Sequence, residues 1–155
     1  MDQIKVVSFL EKNIISFFVL KRVKALLKFV PPQDLIGINK IELINKFENK
    51  TYTNSGGIYS PGKNNDAKII LAIGTIYNGM PTFLHLIPFI PSFLLAMVLY
   101  HEIGHHYKNK LMHSTGIKGS EYHAEQYSDK ILREKYKFFL LAIKPIYPFI
   151  MWLRK

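Results

Sequence analysis

SFLLAMVLYHEIGHHYKNKLMHSTGIKGSEYHAEQYSD, residues 92–129, is the stretch on which the reading of this chain turns. It opens on an uncharged apolar run and passes without a break into His101-Glu102-Ile103-Gly104-His105. A second polar group begins at Glu121, with 15 residues between it and His105. Pro91-Ser92 reads as a helix start, because proline suits the first turn, and Gly116 reads as a stop. The spacing therefore predicts one helix over residues 92–112 and another over 120–137.

Residues i and i+4 lie one turn apart on one helix face, so His101 and His105 can turn both imidazoles toward one ion. Glu102 sits about 100° around the axis, close enough to act on a water at that ion without binding it. Six histidines and seven glutamates in 155 residues would give this pattern by chance in roughly one such chain in a hundred. The chain has no cysteine, so a metal site must draw on His, Asp or Glu. Two His, a third protein ligand and one open position suit zinc, and one Zn2+ per chain is the expected cofactor.

Fifteen residues suffice to end one helix, turn, and return antiparallel, which makes Glu121 the expected third ligand. Glu125 shares its face at i+4, either as an alternative ligand or as the acceptor of a hydrogen bond from a ligand histidine. His123 is a further alternative ligand. His106 points off the ligand face and reads as an outer partner or an exposed residue. Chemistry at a water on that ion would also need a group to stabilise a developing oxyanion. Tyr122 and Tyr127 are candidates for that second role, with His123 and Tyr59 beside them.

Outward from this stretch the signals are simpler. Residues 3–29 read as one helix ending before Pro31-Pro32. Residues 35–47 read as a strand, and short strands follow near Ile58-Tyr59 and over 68–73. The turn residues Ser60-Pro61-Gly62 and Asn64-Asn65-Asp66 join the last two as a hairpin. Gly56-Gly57 reads as a flexible turn in preference to a point of close backbone approach. The expected fold is a small α+β domain: an N-terminal helix, a three-stranded, mostly antiparallel sheet, and two helices carrying the polar groups. It spans residues 1–137, with an apolar, basic tail over 138–155.

The order of elements and the paired motifs resemble the gluzincin metallopeptidases, whose signature is His-Glu-x-x-His followed by a glutamate on the next helix. Glu121, Ala124 and Glu125 match the second motif, with Glu125 in place of the more usual Asp or Asn. The layout is similar to minimal gluzincins and to ImmA/IrrE-like and HtpX-like catalytic cores. That resemblance implies a zincin-like fold and a zinc metalloendopeptidase acting on peptide or protein substrates. It implies His101, His105 and Glu121 as ligands and Glu102 as the catalytic base. It also implies that substrate pairs with an edge strand above the metal helix, for which residues 68–73 are the best fit.

Charge narrows the partners. The chain carries 21 Lys+Arg against 11 Asp+Glu, a formal +10. That favours anionic partners in general, but the lysines are scattered and no nucleic-acid-binding motif is present, so nucleic acid is not expected. The apolar run within residues 4–30 is too short to span a bilayer, and residues 82–100, though uncharged, contain Pro88, Pro91 and His85. We read residues 82–90 as an apolar loop. The lack of cysteine fits a cytoplasmic protein. Peripheral contact with a membrane through residues 4–30 or the tail is the alternative. Two rival functional classes stand beside the peptidase: a catalytically silent zinc-binding regulatory or interaction protein, and a basic nucleic-acid-associated zincin.

Overall fold

A computed structural model of the chain describes residues 4–11, 14–62, 66–78, 80–81, 84, 87, 89–111 and 117–143. The expected turn at Asn64-Asn65, most of the 82–90 loop, the stop at Gly116 and the tail beyond Ile143 lie outside the described residues.

The chain folds as a mixed α+β domain with one four-stranded sheet. Strand β1 is Lys5–Ser8, followed by helix α1, Ile14–Leu27. A 3-10 turn at Pro32–Leu35 leads to β2, Ile38–Ile44. The short strand β3, Gly57–Ser60, turns back into β4, Ala67–Ala72. A single turn of helix, α2, spans Ile73–Ile76. The long helices α3, Phe89–Leu111, and α4, Ile117–Ile143, complete the fold.

Four expectations are corrected here. Residues 5–8 are not the start of a helix; they form a strand, and Phe9 N–H still bonds Leu43 O at 2.8 Å before the chain leaves the sheet. The sheet, in the order β1-β2-β4-β3, has four strands where three were expected. It is mostly parallel, since β1 and β4 both run parallel to β2 and only β3–β4 is antiparallel. The hairpin read from the turn residues is that one antiparallel pair. Its order in the sheet also moves the exposed edge: β4 is internal, and β3 is the edge strand beside α3.

Helices α1 and α3 cover one face of this sheet. Val19, Val23 and Leu26, at helical spacing on α1, are fully buried. They share a core with Ile41 and Leu43 of β2, Ile69 and Leu71 of β4, and Leu95, Leu99 and Ile103 of α3. Tyr100, also fully buried, donates its hydroxyl to Leu26 O at 3.1 Å, satisfying a carbonyl at the end of α1. Gly37, at φ 99°, takes the left-handed conformation that lets the chain turn from the 3-10 segment into β2. Helix α4 packs antiparallel along α3, and the ring of Tyr136 sits edge-on to Phe89 and Phe93, each at 5.2 Å. It continues past residue 137 to Ile143, with non-helical geometry at Tyr136. Among the described residues no helix is long and apolar enough to cross a membrane.

Candidate metal centre

Helix α3 presents two working stripes. One carries His101 and His105 toward α4, and the other carries Val98, Glu102, His106 and Asn109 toward β3. The two helices meet at Gly104 and Ala124. A Cβ on Gly104 would stand 2.7 Å from both Cα and O of Ala124, so only glycine permits this approach. Ala124 lies one turn after Glu121, and the close packing carries that carboxylate to the histidines.

Three donor atoms converge there. His101 Nε2 and His105 Nε2 stand 3.1 Å apart, and the Glu121 carboxylate reaches them with different oxygens, Oε2 at 3.3 Å from the first and Oε1 at 3.5 Å from the second. Ligand atoms on tetrahedral zinc, with bonds of about 2.0–2.1 Å, are separated by about 3.3 Å. The nearest approaches are close to that spacing, one ligand atom from each residue lies within 4.8 Å of the others, and the three residues could hold a metal ion. His105 Nδ1 is 3.1 Å from Ser120 Oγ. Assigning the ring proton to that contact leaves the Nε2 lone pair facing the cluster, the tautomer a metal needs. Burial and the neighbouring His101 both push the His105 pKa down, which favours the neutral ligand form.

Glu102 is buried, at 6% exposure, and shares the wall of a cleft of about 430 Å³ with His101. Burial pushes its carboxyl up to about 7, against the opposing effect of the Tyr59 backbone N–H that donates to it. Glu121 raises it further. Ser55, Gly56 and Gly57 form one side of the cleft, Met97 and Val98 its floor, and Glu125, Ser128, Asp129 and Leu132 the α4 side. Gly57 is a point of close approach, contrary to the flexible-turn reading. A Cβ there would meet Val98 Cγ1 at 2.7 Å and Glu102 Cγ at 2.9 Å.

The remaining candidates are placed as follows. Glu125 is exposed and lines the cleft, but Ser120 takes the role of histidine partner that was expected of it. His123 lines a separate cavity of about 280 Å³ with Tyr107, Lys108 and Tyr127. Tyr122 is exposed, and its hydroxyl accepts from Gln126 at 2.6 Å. Tyr127 gives its hydroxyl to the buried Asp34 at 2.8 Å and lines the other cavity, not the cleft. Tyr59 turns its hydroxyl away from the cleft to His106 and Asn109. His106 is buried at 6% exposure, which removes the exposed reading, and burial lowers its pKa.

Ser120, Gly104, Asn109 and the Tyr59 backbone were not singled out from the sequence. Only Gly104 and Ser120 left a trace there, the one inside the first motif and the other next to Glu121. The chain matches no protein-family model, and no curated protein or solved structure matches it.

Proposed function

We propose that the protein is a zinc-dependent metallopeptidase of gluzincin type, hydrolysing peptide bonds in the cleft between β3 and α4. The observation that carries this reading is the convergence of His101, His105 and Glu121, whose ligand atoms lie within 4.8 Å of one another, beside a buried carboxylate at Glu102. Three ligands leave one position open, as catalytic zinc sites do, whereas structural sites are closed by four. Of the residues that could have closed it, His106 is held among Tyr59 and Ile36, His123 lines the other cavity, and Glu125 lines the cleft but stands outside the group of three. That arrangement favours the peptidase over a silent zinc-binding protein.

Zinc, when bound, supplies Lewis acidity toward a carbonyl and toward water. The work of the chain itself is division of labour around one helix turn. His101, His105 and Glu121 hold the ion. Glu102 accepts the proton of the attacking water and delivers it to the leaving amine. Edge strand β3 offers an extended substrate a backbone to pair with, beside Glu102.

The test is metal dependence. Chain stripped with a chelator should cleave no peptides, zinc should restore cleavage, and His105→Ala should stay inactive after zinc is returned. Cleavage that survives chelation would contradict the proposal.

A further inference from the structure

Strand β3 is fastened to α3 by a directional chain of hydrogen bonds. His106 Nε2 is 3.0 Å from the carbonyl of Ile36, and a carbonyl can only accept, so Nε2 carries the ring proton. Nδ1 of the neutral ring must then accept, and its partner at 3.3 Å is the Tyr59 hydroxyl. With its proton committed, the Tyr59 oxygen accepts from Asn109 Nδ2 at 3.2 Å. The sequence Asn109 to Tyr59 to His106 to Ile36 is thus fully satisfied in one direction. The ring of Tyr59 also sits edge-on to His106, with centroids 5.6 Å apart.

Glu102, His106 and Asn109 lie at i, i+4 and i+7, on one stripe of α3. The strand crosses that stripe in register. Gly57 meets Val98 and Glu102, the Tyr59 peptide N–H meets the Glu102 carboxylate, and the Tyr59 side chain meets His106 and Asn109. A slip of β3 along the helix would take both the peptide N–H and the flanking glycine away from Glu102.

We propose that His106 and Asn109 are positioning residues: through the Tyr59 hydroxyl they lock the register of β3 on α3, and the locked strand aims the Glu102 carboxylate. This deepens the peptidase reading and rests on it for its kinetic consequence. A misplacement of about 1 Å can cost a hundredfold in rate.

Tyr59→Phe in the full chain is the variant to use, because it keeps the ring and the peptide group while removing the link. In the metal-free protein, amide hydrogen exchange at residue 59 should speed up at least roughly tenfold in Tyr59→Phe and in Glu102→Ala alike, with Ile69 and Leu71 unchanged. In the zinc-loaded protein, kcat should fall roughly 10- to 100-fold with KM and zinc affinity unchanged. Adding Tyr59→Phe to Glu102→Gln should cost nothing more. Unchanged exchange at residue 59, or a loss of zinc affinity that matches the loss of kcat, would overturn the proposal. If the wild type cleaves no peptide, the peptidase reading fails, and the exchange measurement still decides whether the strand is locked in this way.

Discussion

Gly57 is the residue at which the site depends on a missing side chain. Gly57→Ala would drive a methyl group into Val98 and Glu102, so we expect a loss of about 1–3 kcal/mol in urea unfolding together with reduced turnover. Glu102 makes a second prediction, through pH. Its carboxyl is raised from an ordinary 4.5 to about 7, so the folded chain holds a proton that the unfolded chain has released. The stabilisation is complete below pH 4.5 and is lost as pH rises through about 7. Metal-free wild type should lose on the order of 2–3 kcal/mol relative to Glu102→Gln across that window, by denaturant titration at several pH values. An identical pH dependence in the two proteins would argue against a buried, strained carboxylate. The grouping of His101, His105 and Glu121 beside a buried Glu102 was legible because helical period is local. The contacts of Tyr59 with His106 and Asn109, and of His106 with Ile36, join residues 47, 50 and 70 apart, and no local pattern announces them.

Helix against helix, the same logic applies to Gly104 and Ala124. A valine at 104 has backbone atoms of α4 in its way, not a side chain that can swing aside. Gly104→Val should therefore push Glu121 off the histidines and weaken zinc binding more than tenfold by competition with a chromophoric chelator, while helix content by circular dichroism stays close to wild type. Ser120→Ala, which removes only the hydroxyl beside His105, should weaken zinc roughly 10- to 100-fold without loss of stability. Elements were legible to different degrees. The β3–β4 hairpin announced itself through its turn residues, whereas β1 is four residues long, too short for its period to be told from that of the adjoining helix. Strand direction was not legible either. Whether β2 and β4 run parallel depends on where the β3 segment crosses, and composition does not record that.

At the scale of the molecule, one sheet face is packed by α1 and α3, and the His101-His105-Glu121 group, which could hold a metal ion, lies where α4 closes on α3. The ion would then join two helices that are otherwise held by packing, and binding to the folded state alone stabilises it. At about a thousandfold excess over Kd, zinc should raise the unfolding temperature of wild type and of Glu102→Gln by roughly 10 °C, and that of His101→Ala far less. The most direct test of the central claim is cleavage of a diverse peptide mixture by zinc-loaded wild type and Glu102→Gln, compared by mass spectrometry. The account predicts products from the wild type and none from the variant at equal zinc content. Equal cleavage by both, or no cleavage by a wild type that holds its zinc, would contradict it.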